Sequence, residues 1–153
     1  MMQSQRIDPL LRRAQQHEDE VARDLAERQR ALSTHESRLE ELRRYAEEYA
    51  NSQMAATSPA QLANRRAFLD RLNSAVEQQC QTVDRNREKV EMERSRLLLA
   101  SRDKQVLEQL AASYRAQERQ AADRRSQREM DDLGARLARP SLGAANEDKE
   151  QQR

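Results

Sequence analysis

The sequence contains few of the residues that build a globular core or interrupt a helix. Aromatic residues make up 3% of its 153 positions, Trp is absent, and only two Gly and three Pro occur. A packed globular core needs large apolar side chains, whereas Gly and Pro are the residues that break helices. The shortage of both therefore predicts long helices. A single cysteine, Cys80, excludes an internal disulfide.

No excess of one charge is present either. The chain carries 28 Lys and Arg against 27 Asp and Glu, interspersed along its length. A nucleic-acid-binding protein would show a basic stripe, and a membrane-surface helix would show one basic face. The longest apolar run, residues 97–100, is too short to span a bilayer. The N-terminus has no apolar signal segment. We therefore expect a cytoplasmic protein that neither binds nucleic acid nor inserts into a membrane.

A first helix is predicted from residue 9 to residue 54. Asp8 can cap its free N–H groups, and Pro9 fits the first helical position. From Leu11 onwards, apolar residues recur in alternating steps of three and four, which is typical of a coiled coil. Charged residues reach 36%, but this regular placement argues against disorder. The predicted seam is Leu11, Ala14, Glu18, Val21, Leu25, Arg28, Leu32, His35, Leu39, Leu42, Ala46 and Tyr49.

A turn at residues 55–58 separates this helix from a second one over residues 59–138. The sequence Ser58-Pro59-Ala60-Gln61 is typical of a capping box with Pro at the first helical position. Gly134 and Pro140 favour an end near residue 138, and we expect residues 1–8 and the polar tail 139–153 to be disordered. The second seam is Leu62, Arg65, Leu69, Leu72, Val76, Gln79, Val83, Asn86, Val90, Glu93, Leu97, Ala100, Lys104, Leu107, Ala111, Tyr114, Glu118 and Ala121.

The predicted fold is all-α: two long helices that form an antiparallel coiled-coil hairpin over residues 9–138. A tight turn would place opposite each other seam residues whose numbers add up to roughly 111. This register faces Glu18 with Glu93, which is unfavourable. It also leaves about 36 residues of the second helix, roughly 54 Å, without an internal partner. Seam residues in this overhang are then expected to need a partner, either another copy of the chain or a different protein: Leu107, Ala111 and Tyr114.

No catalytic, cofactor-binding or metal-binding residue is predicted, so we expect a protein that is not an enzyme. A two-helix hairpin has no pocket in which polar groups converge. His17 and His35 lack the spacing of metal ligands, and His35 falls on the seam, where polar residues usually tune register. Cys80 lies just off the seam, as a half-buried inert thiol would.

Three of the four aromatic residues flank the turn: Tyr45, Tyr49 and Phe68. In a hairpin they would cluster at the closed end. Two interpretations remain open: the cluster is a binding hot spot, or it is packing that closes the end of the core. Leu98 and Leu99 pose a similar choice, between a broader core and a docking patch.

Two segments resemble the flagellar export protein family FliJ: residues 39–49, LEELRRYAEEY, and residues 68–79, FLDRLNSAVEQQ. The Tyr-x-x-x-Tyr pattern and the later Phe-x-x-x-Leu-x-x-Ala pattern are the specific part of a resemblance that covers roughly residues 9–138. It implies a stalk of the flagellar type III secretion apparatus, similar to the central shaft of rotary ATPases and peripheral at the inner face of the cell membrane.

The resemblance also implies partners. The open end of the hairpin would bind the export ATPase FliI, to which we assign Leu107, Ala111 and Tyr114. Export chaperones are further partners, without an assigned site. The surface for the export gate FlhA would comprise Leu42, Tyr45, Tyr49, Phe68, Leu72, Ala75 and Gln79. Arg38 departs from the family, in which a polar amide is familiar at that position.

Two alternatives to this stalk are carried forward. One is a homo-oligomeric scaffold or chaperone-like protein without an ATPase partner. The other is the injectisome counterpart of the stalk, which would share the shape but show a weaker similarity to the tyrosine motif.

Overall fold

The computed structural model describes residues 2–52 and 58–150, and of residues 140–150 it describes the backbone alone. Helix α1 comprises Gln3–Asn51 and helix α2 comprises Pro59–Glu150. The two long helices pack against each other, and the described ranges contain no strand. The prediction of an all-α helical hairpin is therefore confirmed.

Helix α1 begins six residues before the position predicted for it. Pro9 lies inside the helix and not at its first position. Asp8, the expected cap, instead forms an ion pair with Arg115 at 3.0 Å. The start of the helix is capped from α2, because the Glu118 carboxylate accepts hydrogen bonds from the N–H and the hydroxyl of Ser4 at 3.0 and 2.6 Å. This cap could not be found by looking for a local signal.

The hydroxyl half of the predicted capping box at the start of α2 is confirmed. The Ser58 hydroxyl accepts the N–H of Gln61 at 3.3 Å, and α2 begins at Pro59. The helix continues past Gly134 and Pro140 to Glu150, beyond the end predicted at residue 138. A side chain at position 134 would meet only open space, so no packing contact requires Gly there. Residues 53–57, which include the predicted helix end and most of the predicted turn, lie outside the described residues, as do residues 151–153.

The chain divides into two units, of which unit 2 is Arg13–Lys104. Its core follows the predicted seam, since within this unit all seam positions except Arg28 and Leu62 are buried or half-buried. Complete burial of a Val side chain stabilises a fold by roughly 1.5–3 kcal/mol. The buried apolar side chains of the unit are Val21, Leu39, Leu72, Val83, Val90 and Ala100, and the polar Asn86 is buried among the seam residues as well.

The predicted register of unit 2 is wrong. Glu18 pairs with Lys104 at 3.4 Å and not with Glu93, and Glu36 pairs with Arg87 at 3.6 Å. The numbers of these two pairs add up to 122 and 123, and those of the contacts His35–Gln79 and Tyr49–Phe68 add up to 114 and 117, so the contacts centre about one heptad away from the predicted sum of 111. The prediction assumed that both helices pair right up to a tight turn, whereas residues 59–64 at the start of α2 are all exposed. The observed register replaces two facing carboxylates with a carboxylate and an ammonium group, which favours it.

The two flanks of the hairpin can be named by heptad position. The seam occupies positions a and d. The ion pair Glu36–Arg87 joins two e positions, and Asp24 approaches Arg96, at 3.9 Å, across two g positions. We call these flanks the a/e side and the d/g side, because each lies beside one of the two seam positions.

Unit 1 comprises Met1–Arg12 and Gln105–Arg153. Ser4, Ile7 and Ala111 are buried in it, at 7%, 6% and 1% exposure. All side chains of residues 119–139 are exposed. An overhang of α2 is therefore present, but it begins after Glu118, about 16 residues later than the predicted register placed it.

The later start of the overhang corrects one expectation. Leu107 and Tyr114 are half-buried and Ala111 is buried within the chain itself. These residues do not need another protein to cover them, because α1 starts early enough to bring Ile7 and Leu11 into unit 1. The exposed apolar residues of the overhang are Met130, Leu133 and Leu137.

Candidate functional site

The aromatic residues of unit 2 form one cluster near the C-terminus of α1. The ring of Phe68 lies 4.7 Å from the ring of Tyr49 and 6.4 Å from the ring of Tyr45, both with edge-to-face geometry. Such pairs contribute about 0.5–1.5 kcal/mol beyond the area they bury. Tyr45 remains 51% exposed. The predicted clustering is confirmed, and one large ring of the cluster faces solvent.

Arg65 holds the end of α1 beside this cluster. Its guanidinium donates hydrogen bonds to the carbonyl oxygens of Tyr49, Ala50 and Ser52 at 3.4, 3.3 and 2.7 Å. The last carbonyls of a helix lack internal partners and carry partial negative charge, so a cation satisfies both needs. Helix α1 has no basic residue in its own last turn. The apolar spacing predicts Arg65 as a seam residue but does not predict this role, for which an Arg early in α2 was the available signal.

The seven residues expected to bind the export gate share one side of the hairpin. Each occupies a d or a g position, so all of them lie on the d/g side near the end of α1. Leu72 is buried, Tyr45 is exposed and the other five are half-buried, so Leu72 lies at the base of this surface and Tyr45 at its edge. The structure therefore brings the whole predicted set together: Leu42, Tyr45, Tyr49, Phe68, Leu72, Ala75 and Gln79.

A cavity of about 370 Å³ opens within this set. Leu42, Tyr45 and Gln79 line it together with Arg38 and Glu41. Arg38, which departs from the family pattern, thus contributes a cation to the rim.

Gln79 is fixed at this cavity by His35. Its amide nitrogen donates to the His35 carbonyl oxygen at 3.0 Å and lies 3.3 Å from Nδ1 of the same residue. A side chain held in this way loses little further freedom when a partner binds, which favours affinity.

A second cavity of similar size, about 350 Å³, lies on the a/e side. Its lining includes Ala46, Ala50, Leu69 and Val76 but no aromatic residue. On this side Arg43 donates a hydrogen bond to the sulfur of Cys80 at 3.3 Å. The predicted half-buried position of Cys80 is confirmed.

Among the described residues, no group of three His, Cys, Asp or Glu side chains is arranged to hold a metal ion. Over the same part of the chain, neither helix is long and apolar enough to cross a membrane. The aromatic cluster on the d/g side is thus the principal candidate.

A hairpin of two long helices with an exposed aromatic cluster beside the end of α1 defines the chain as an α-helical coiled-coil protein. Residues 2–143 match the family model described as Flagellar FliJ protein, and the chain belongs to this family. It is therefore a component of the flagellar export apparatus. No curated protein and no solved structure matches the chain.

Proposed function

We propose that this protein is a non-enzymatic coiled-coil stalk of the flagellar type III export apparatus. It binds the export gate FlhA through the d/g side beside the end of α1, and it binds the export ATPase FliI through unit 1. Membership of the FliJ family supports the setting in flagellar export. In this proposal ATP hydrolysis belongs to the partner.

The aromatic cluster is the observation that carries the gate assignment. Binding hot spots are enriched in Tyr, and they sit among residues whose positions are fixed by packing. Tyr45 is half exposed, while Phe68 supports it and Arg65 anchors the adjoining helix end. A ring presented on a fixed scaffold gives large contact area at low entropic cost.

The ATPase assignment rests on the exposed apolar residues of unit 1. Met130, Leu133 and Leu137 are 70%, 57% and 77% exposed, and their spacing places them on one face of α2. We assign the main contact to these three residues. Leu107 and Tyr114 remain candidates at its edge because they are half-buried, and Ala111 supports them from below.

The same proposal sets the location and the remaining partners. A stalk that joins a gate to an ATPase works in the cytoplasm, peripheral to the inner face of the cell membrane. Export chaperones belong to the same apparatus, and we assign them no residues.

The test is to combine the purified chain with purified FliI, to measure co-precipitation, and to follow the ATPase rate in parallel. We expect binding together with a raised rate or promoted ring assembly. A well-folded chain that neither binds FliI nor changes its rate would contradict the ATPase assignment. Sedimentation of the chain alone then shows whether it self-associates, as a homo-oligomeric scaffold would.

A further inference from the structure

A charged hollow interrupts the seam of unit 2 on the d/g side. Its volume is about 510 Å³, larger than that of either cavity beside the aromatic cluster. Two seam positions in it are charged, Arg28 and Glu93, and Arg28 is exposed instead of filling the layer. The complete lining is Asp24, Glu27, Arg28, Ala31, Glu93 and Arg96.

The lining carries an excess of negative charge. Both oxygens of the Glu93 carboxylate accept hydrogen bonds from Arg96, at 2.8 and 3.0 Å, and Asp24 lies 3.9 Å from the same guanidinium. The Glu93 side chain is only 13% exposed. Three carboxylates against two guanidinium groups give a formal charge of −1. A cationic side chain is the group that this lining would attract.

Two large apolar side chains flank the hollow along α2. Met92 precedes Arg96 by four residues and Leu99 follows it by three, so all three lie on one helix face. Met92 is 67% exposed and Leu99 is 59% exposed. These two side chains give a partner apolar area to bury next to the charged hollow.

A charged layer in a coiled coil costs stability relative to an apolar one, and sequences retain such layers for specificity or binding. This hollow lies on the same side as the aromatic cluster. Arg28 precedes Leu42 by 14 residues and Glu93 follows Gln79 by 14, about 21 Å along each helix. Contacts that spread over about 40 Å fit one protein–protein interface of ordinary size.

The geometry points to a second contact with the export gate: the hollow receives a basic side chain of that partner, and apolar groups beside this side chain contact Met92 and Leu99. This inference rests on the proposed function, because it assigns the hollow to the partner that binds the aromatic cluster. Asp24 and Glu27 bind the incoming cation. Arg28 opposes it and sets its position.

Two charge variants of the full-length chain test this inference, because they should change the Kd for the purified soluble domain of FlhA in opposite directions. The double variant D24N/E27Q removes two carboxylates, and we expect its Kd to rise roughly tenfold. The variant R28Q removes a repelling cation, and we expect its Kd to fall by about threefold. Raising the salt concentration should shrink both differences, since screening weakens charge pairs.

The matched control is E40Q/D84N, which removes two carboxylates that are 76% and 71% exposed and lie outside the d/g side. Its Kd should stay within about twofold of the unchanged chain. Helix content and melting temperature, measured for all variants, separate loss of binding from loss of folding.

Each outcome decides one of the two proposals. If Y45A/F68A abolishes binding while D24N/E27Q and R28Q bind like the unchanged chain, the second contact is refuted and the gate assignment stands. If R28Q weakens binding, the hollow accepts an anion and the inference is wrong. If Y45A/F68A binds normally, or if the unchanged chain does not bind FlhA, the proposed gate assignment fails and this inference fails with it.

Discussion

The two ends of helix α1 are closed by side chains of α2 with opposite charges. At the C-terminus the Arg65 guanidinium bonds three carbonyl oxygens, and at the N-terminus the Glu118 carboxylate bonds Ser4. Helix α1 has no acidic residue in its first turn and no basic residue in its last. A carboxylate suits the partial positive charge at a helix N-terminus, and a guanidinium suits the partial negative charge at a C-terminus. Helix α2 therefore supplies the charged caps that the sequence of α1 lacks.

The neighbours of the two caps differ, and this difference separates their roles. Beside Arg65 lie three aromatic rings, one of which is half exposed. Within a turn of the Ser4–Glu118 contact lie the buried Ser4 and Ile7 and the half-buried Tyr114. The same kind of cap therefore supports a presented surface at one end and a closed core at the other.

The largest expected effect tests whether the aromatic cluster beside Arg65 is a binding surface for FlhA. Replacing Tyr45 and Phe68 with Ala should weaken FlhA binding by about 100-fold, because the exposed ring and its support are both lost. Helix content should change little, and cells that carry the variant should not swim. Normal swimming by a variant that is present at normal levels would show that the rings serve packing alone.

The reciprocal change tests the exposed apolar face of unit 1. Replacing Leu133 and Leu137 with Ala should weaken FliI binding roughly tenfold, since two exposed apolar contacts are lost, and should leave FlhA binding unchanged. Both residues are exposed, so the free energy of unfolding should hardly move. If the variant lost affinity for FliI and FlhA equally, the two binding surfaces would not be separate. Co-precipitation of each variant with each partner provides the measurement.

If Arg65 caps the C-terminus of α1, removing its side chain should destabilise that end of the helix. Replacing Arg65 with Ala should lower the free energy of unfolding by about 1–2 kcal/mol, because three carbonyl oxygens lose a charged donor. Thermal unfolding followed by circular dichroism measures this change. Arg66→Ala is the control, since Arg66 is exposed and adjacent. Equal melting temperatures for the two variants would argue against the cap.

The smallest expected effect is a pH dependence at the other end. The hydroxyl of Ser4, and next its N–H, lower the pKa of the Glu118 carboxyl group. The stability from this contact is therefore present above the pKa of Glu118 in the unfolded chain and is lost as pH falls through the lowered folded value. Ser4→Ala should move the pKa of Glu118 back towards its ordinary value. A carboxyl carbon NMR titration would show this shift, and an unchanged pKa would contradict it.

Much of the fold could be predicted because coiled-coil cores repeat. The seam from Leu11 to Glu118 followed from apolar spacing, and the aromatic cluster followed from the position of the turn. The register could not be predicted in the same way, because the apolar spacing stays the same when one helix slides past the other, so Glu18 can meet either of two seam residues, Glu93 or Lys104. Only the pairing of charges and the unpaired start of α2 distinguish these alternatives.

The two caps of helix α1 could not be predicted, for a related reason. Rules for helix ends look at residues within one turn, and they favoured Asp8 and Pro9 as the start of α1. Glu118 is 114 residues away from Ser4. The charged hollow was not predicted either. The apolar spacing identifies Arg28 and Glu93 as polar seam positions, but the cavity that they share depends on the observed register.

The long separation between Ser4 and Glu118 has a consequence for how the protein is made. A ribosome adds about 5–20 residues per second, so Glu118 is synthesised about 6–23 s after Ser4. During that interval the first turn of α1 has no cap and Ile7 has no cover. Newly made chains therefore pass through a stage in which the first turn of α1 is open to chaperones and proteases, and this stage ends only after Glu118 has been made.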